Sequence, residues 1–384
     1  MLRELWRVLG HAMQQWRMGK RAVCINGMNA TCHEAQTGFL TTEVRLMSHV
    51  PTVRLEKPYL PTLSLDTSVV IKLVKIERGE ALQDIEVQRG KRLQKLIFDL
   101  GRAGKLLCPE SDQEEEYAAE RLDDQVNGMF ARLSQGISLN HRQGIYDEQV
   151  SRGMQAFAKK AESIDLPASS YFHGDPVRRL EEVRHDRFVV SVGPLKSPDL
   201  LRRRAQSKAN IGRQWEQLRQ ELRSKGQTYE RQLAVEQRGD AIAIVETLKK
   251  FEADITSGRH DFWNFMAATG PLMYRYFWRE LRGQPPEWEG ILQFFASPYF
   301  SELPQPYVAS RMVAELLTGN EPIAPSDPMD VDLLSVALPI SHFVLTDRRM
   351  ELRVKKLGLD KRCSTEVYSM SSIDGLFAAL EKLK

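Results

Sequence analysis

The sequence predicts an α/β protein, a parallel sheet with both faces covered, interrupted by a long helical insertion. Three observations carry this. A short apolar run over 61–65 ends in Asp66, followed by Thr67 and Ser68. A second run of the same character closes the chain's other half, where Phe343-Val-Leu-Thr346 ends in Asp347. Around both, short apolar runs alternate with segments of helical period, and strands that alternate with helices imply parallel pairing with buried faces. The two halves must then meet across the helix-rich residues between them.

The elements follow in chain order. Residues 1–60 fit this pattern poorly. A basic amphipathic segment over 2–20 carries Trp6 and Trp16, and small and polar residues without a period follow. A membrane-surface helix, a docking arm, and upstream sequence from too early a start codon compete here. A disordered arm or a later start, with Met47 as candidate, fits best. Residues 61–125 form the first half of the α/β domain. They give a strand at 63–65, a helix or turn at 68–75 and a helix at 84–99, where Ile85, Leu93, Leu96 and Ile97 share a face. A short strand at 105–108 is ended by Pro109, and a helix capped by Ser111 or Asp112 covers 113–122. Residues 126–304 are the insertion. Residues 305–384 return to alternation: helix 307–317 closed by Gly319, loop 322–328, helix 329–338, strand 343–346, helix 348–357, strand 366–368 and helix 373–383.

Composition narrows the function classes. The chain has 384 residues, is 42% hydrophobic and carries a net charge of +3, so it has material for a large core and no dominant field. Its four cysteines, Cys24, Cys32, Cys108 and Cys363, form no CxxC pair, which argues against zinc or a disulfide framework and for a reducing cytoplasm. No apolar run reaches the ~18 residues of a spanning helix. The eight histidines show neither HxH nor HxxxH spacing. No serine or cysteine nucleophile is supported, and Cys108 reads as core.

The acids carry the chemistry. Sites in parallel α/β sheets form at the carboxyl ends of strands, and Mg²⁺ takes a few carboxylates while keeping several waters. Asp66 sits just past its strand, although an aspartate there also suits a helix N-cap. Among Glu114, Glu115 and Glu116, Glu115 shares a face with Ala118, Ala119 and Leu122; the others suit a solvated helix start. Asp330 shares a face with Leu333, Leu334 and Ala337, Asp332 lies on another face, and Asp327 reads as a loop acid or a cap. Asp347 follows the strand 343–346. Asp66, Glu115, Asp330 and Asp347 are the expected catalytic and metal-binding set, with Glu116 and Asp332 as further metal candidates.

Leu-Ser-Leu-Asp66-Thr-Ser-Val-Val, an acid in the helix after Leu-Leu-Cys108-Pro, the Asp330, Leu334, Ala337 spacing, Val-Leu-Thr-Asp347 and the ending Thr365-Glu-Val-Tyr-Ser resemble the PIN-domain nucleases. The resemblance covers about 60–125 and 305–384. It implies a three-layer α/β/α sandwich, Mg²⁺- or Mn²⁺-dependent cleavage of RNA and sometimes DNA, and matches Asp66, Glu115, Asp330 and Asp347 to the family's acids. His342 stands where an acid would be expected, and the insertion has no counterpart in the compact family pattern.

For substrate, residues 196–231 hold ten Lys/Arg against four Asp/Glu, so Arg202, Arg203, Arg204, Lys208 and Arg213 are expected to contact phosphates, with a solvated helix face as the plainer reading. Trp215 and Tyr229 offer rings for base stacking. The aromatics of 262–300 read as the insertion's own core. Arg348 and Arg349 would steady the acids or a phosphate. The expected protein is a cytoplasmic metal-dependent endoribonuclease, toxin-like or defence-related, with nucleic acid as partner, RNA favoured, no membrane, and a homodimer or regulatory partner left open. A non-catalytic binding module and a structure-selective DNA nuclease are the alternatives.

Overall fold

A computed structural model describes residues 50–80, 83–111, 123–184, 198–258 and 262–384. The segment 2–20, the helix expected at 113–122 and Glu115 and Glu116 lie outside these residues. In chain order the elements begin with β1 (Thr52–Leu55), β2 (Leu63–Leu65), α1 (Thr67–Glu77), α2 (Asp84–Arg102), α3 (Asp123–Ser134), α4 (Arg142–Lys159), β3 (Ser163–Leu166) and α5 (Pro176–Arg184). The helical stretch continues with α6 (Pro198–Ser224), α7 (Tyr229–Thr256), α8 (Phe262–Glu280), α9 (Glu287–Phe295), α10 (Pro298–Ser301) and α11 (Pro304–Thr318). The chain closes with α12 (Asp327–Ile340), β4 (Phe343–Thr346), α13 (Arg348–Lys356), α14 (Leu359–Cys363), β5 (Glu366–Ser369) and α15 (Ile373–Glu381).

The described chain divides into two compact units. One contains Leu55–Ile145, Leu166–Arg213 and Ala324–Lys384, and holds the mixed α/β part. Its sheet has the order β2-β4-β5, all parallel, with Leu65 opposite Leu345 and Thr346 opposite Ser369. Single-residue bridges continue the hydrogen bonding beyond β2: Thr62 with Leu107, Glu110 with Ser138, and Leu139 with Phe172. The strand expected at 105–108 is therefore reduced to one bridge at Leu107. Pro109 brings no N–H to a ladder, and on its far side Glu110 pairs instead with Ser138.

All four residues of β4 are buried, as a strand covered on both faces requires. Leu63, Leu65, Phe343 and Leu345 pack with Val70 and Leu73 of α1, Leu93 and Ile97 of α2, and Phe377 and Leu380 of α15. A second cluster joins Leu107, Leu139, Tyr171 and Phe172 to Val336 and Ile340 of α12. Pro328 occupies the first turn of α12, where its missing N–H has no intrahelical partner to lose, so the helix starts before the expected position 329. Between α12 and β4, the half-buried His342 accepts the Thr62 N–H at Nδ1 (3.1 Å), and burial lowers its pKa. Lys57 clips the same corner by donating to Ser341 O, Ser364 O and Thr365 Oγ1, and burial pulls its pKa down to about 8. Cys108 is core, its thiol pushed up to about 12 by burial.

The other unit takes Tyr146–Asp165, Gln214–Ile323 and the described residues before Leu55. Its core is aromatic. Phe157 meets Phe294, Tyr299 and Trp278 at centroid distances of 5.9, 5.5 and 6.0 Å, and Phe300 meets Phe295 at 4.8 Å. Such offset and edge contacts add to the area that large rings bury. Trp278 also donates its indole N–H to Pro285 O (2.9 Å).

Candidate metal centre

Two strand ends and one helix start bring three acids together. Asp66 leaves β2 in extended conformation and caps α1, its Oδ1 accepting the Ser68 N–H at 2.8 Å. Its own N–H is fixed by Leu345 O (2.9 Å), so the neighbouring strand β4 sets where this acid points. Asp347 leaves β4 in the same way and caps α13, with Oδ1 accepting from the N–H groups of Arg349 (2.7 Å) and Met350 (3.0 Å). Both bonds go to Oδ1, which leaves Oδ2 without a donor among the described residues. Asp330 lies in the first turn of α12. One carboxylate oxygen from each of Asp66, Asp330 and Asp347 lies within 4.8 Å of the others.

Two of the three acids are buried. Asp66 is 2% exposed and Asp330 5%, while Asp347 is half-buried. Burial drives the Asp66 carboxyl above its ordinary pKa, and the nearby Asp347 charge adds to that; bonds from Ser68 and Thr346 pull the other way. Thr346 Oγ1 donates to Asp66 Oδ2 at 2.8 Å. The residue before one acid thus orients the other, a hydrogen bond across the β2–β4 pair.

This donor set suits a hard divalent cation. In an octahedral shell with oxygens about 2.1 Å from the ion, donors lie up to about 4.2 Å apart, close to the span the three acids already have. An all-carboxylate set favours Mg²⁺ or Mn²⁺ over softer ions.

The other expected residues fall differently. Asp332 does not join the cluster; its carboxylate pairs with Arg142 at 2.8 Å, as its placement on another helix face allows. Arg348 turns to Glu351, Nη1 to Oε2 at 2.9 Å. Arg202, Arg203, Arg204 and Lys208 lie on α6, and Arg213 is exposed there, donating to Asn210 Oδ1. Trp215 is 4% exposed, so its ring serves packing rather than base stacking, and Tyr229 is half-buried.

Asp327, expected as a loop acid or a cap, and Arg349, expected to steady the acids or a phosphate, pair with each other. Asp327 is neither loop nor solvated: it opens α12, is 2% exposed and accepts the Ala324 N–H at 2.9 Å. Arg349 Nη2 reaches Asp327 Oδ2 at 3.2 Å. Comparisons with protein-family models, curated proteins and solved structures gave no match. Among the described residues, no helix is long and apolar enough to cross a membrane.

Proposed function

We propose that this protein is a divalent-metal-dependent nuclease that hydrolyses phosphodiester bonds, with RNA as the favoured substrate. The observation that carries the reading is the convergence of Asp66, Asp330 and Asp347 oxygens within 4.8 Å at the carboxyl ends of parallel strands. Clustered carboxylates repel, and burial raises that cost; a bound divalent ion would lower it. The resemblance to PIN-domain nucleases points the same way. It extends the α/β part to a three-layer sandwich, a reading supported by the fully buried β4 and the two apolar clusters beside the sheet. Glu115 remains the family's fourth acid on this reading.

Asp66, Asp330 and Asp347 would hold the ion. Mg²⁺ or Mn²⁺ supplies Lewis acidity there, making a water a stronger acid and offsetting charge on the scissile phosphate. The chain's own contribution is orientation. Ser68 and Thr346 hold both oxygens of Asp66, and the first turn of α13 holds Oδ1 of Asp347. Such fixed outer contacts are worth about 10–100-fold in metal affinity or activity.

The test is cleavage of end-labelled single-stranded RNA and DNA by the full chain with Mn²⁺, beside Asp66→Asn and Asp330→Asn. Cleavage that disappears in both variants and in EDTA supports the reading and names the polymer. Cleavage unchanged in Asp66→Asn contradicts it. If wild type binds no metal and cleaves neither polymer, the non-catalytic binding module takes its place.

A further inference from the structure

Arg348 and Arg349 follow Asp347 in the chain, yet they serve different acids. Arg348 is committed to Glu351. The Arg349 side chain instead meets Asp327, whose own side chain is 3% exposed while that of Arg349 is 40% exposed. A buried acid thus anchors an arginine that keeps contact with solvent. The backbone of Arg349 also donates to Asp347 Oδ1, so one residue ties the cap of α13 to the first turn of α12, the two helices that carry Asp347 and Asp330.

A phosphate approaching three carboxylates is repelled at short range. A cation fixed at the rim of the cluster offsets that repulsion, and a guanidinium does so with N–H donors matched to phosphate oxygens. We infer that Arg349 contacts the phosphate of the strand lying over the acid centre, and that Asp327 is the positioning residue that aims it. This rests on the nuclease reading and narrows its phosphate-binding group to Arg349, where the sequence offered the block 196–231 and both Arg348 and Arg349.

The experiment is fluorescence anisotropy of a labelled single-stranded RNA on the full chain, with Ca²⁺ replacing Mn²⁺, at several salt concentrations. The proteins are wild type, Arg349→Gln, Arg349→Lys, Asp327→Asn and the Asp327→Asn/Arg349→Gln double variant, each checked for an unchanged melting profile. Arg349→Gln is expected to weaken binding about tenfold and to reduce the slope of log affinity against log salt by about 0.7, the value for one phosphate contact on a single strand. Arg349→Lys keeps the charge and so restores the slope. Asp327→Asn weakens binding in the wild-type background and adds nothing to Arg349→Gln, because it acts through that arginine. An Arg349→Gln protein with wild-type affinity and slope overturns the inference, as does wild type that fails to bind RNA. If wild type still cleaves with Mn²⁺ and Asp66→Asn does not, the nuclease reading survives that failure; loss of Mn²⁺ binding in wild type would remove both.

Discussion

At the carboxyl end of one parallel sheet, Glu351 and Asp66 are both almost fully buried, and their surroundings have opposite sign. Glu351 is 1% exposed and meets Arg348 at 2.9 Å and Lys355 at 2.7 Å, with the Ser372 hydroxyl at 2.9 Å. Burial alone would raise its pKa, but bonds from Lys355, Ser369, Arg348 and Ser372 more than offset it and hold the carboxyl at about 2. Asp66 is held by a backbone N–H and by hydroxyl groups, with further carboxylates from Asp330 and Asp347 in reach, and its pKa is driven up. A buried charge is tolerated where it is paired. Glu351 finds its cations within the chain, so it fixes α13 against the end of β5. On the proposed reading, a bound divalent cation would supply for Asp66 the positive charge that Arg348 and Lys355 supply for Glu351.

The largest effect expected from that contrast is at Asp66. Asp66→Asn keeps an oxygen for the Ser68 N–H and removes a repelling charge, so the metal-free protein should melt no lower than wild type. The same change should cost more than about 100-fold in cleavage, since outer contacts of metal ligands alone cost up to that much. It should also abolish the rise in melting temperature that Mn²⁺ gives wild type, a stabilisation of about 2.7 kcal/mol at a hundred times Kd. A thermal melt with and without Mn²⁺ reads both. A rise retained in Asp66→Asn would erase the contrast with Glu351.

Next comes Glu351 itself. Its folded pKa of about 2 lies below the ~4.3 of an unfolded glutamate, so the unfolded chain binds more protons between these values and stability rises with pH across that window. The contribution is present above about pH 4.3 and lost as pH falls toward 2. It amounts to about 2 kcal/mol once the exposure of Arg348 and Lys355 is allowed for. Urea melts of Glu351→Gln should show that loss at pH 7 and a shallower fall in stability below pH 4.3. Mn²⁺ affinity should stay within twofold of wild type. An unchanged acid limb would mean that Arg348 and Lys355 stabilise Glu351 far less than their distances imply.

Thr346→Val sharpens the other side. It removes the hydroxyl that orients Asp66 Oδ2 and keeps the shape of the buried side chain. Mn²⁺ affinity should fall about tenfold, measured by calorimetric titration; unchanged affinity would show that the strand pairing alone fixes Asp66. The smallest effect belongs to Asp332→Asn, which breaks the pair with Arg142 but leaves the three converging acids in place. Stability should drop by less than about 1 kcal/mol, with cleavage unchanged in the assay that tests Asp66→Asn.

The sequence made some of this legible. Strands 63–65 and 343–346 are short apolar runs that end in an acid, and such runs read the same in one dimension as in three. The side of α12 that carries Asp330 followed from helical spacing. Of the aromatics of 262–300 expected as core, Tyr274, Trp278, Phe294, Phe295, Tyr299 and Phe300 are buried, as large rings that pack on one another should be, whereas Tyr276 is exposed. What periodicity could not convey was pairing across distance. The bond from Thr346 to Asp66 joins residues far apart in the chain, and only the β2–β4 register creates it. Asp327 was taken for a loop acid or a cap because Pro328 looked like the end of a loop, whereas proline in a first turn begins a helix. Glu351 went unnoticed although its cations stand at i−3 and i+4, the spacing that pairs charges on one helix. Trp215 drew attention by its basic neighbours, yet a ring on an amphipathic helix follows the apolar stripe and not the charges beside it.

The most direct test of the contrast is a calorimetric titration of Mn²⁺ into metal-free wild type, Asp66→Asn and Glu351→Gln at neutral pH. The account predicts saturable binding to wild type and Glu351→Gln and none to Asp66→Asn. Wild type that takes up no Mn²⁺, or Asp66→Asn that binds it as wild type does, would contradict the assignment of Asp66, Asp330 and Asp347 as a metal centre.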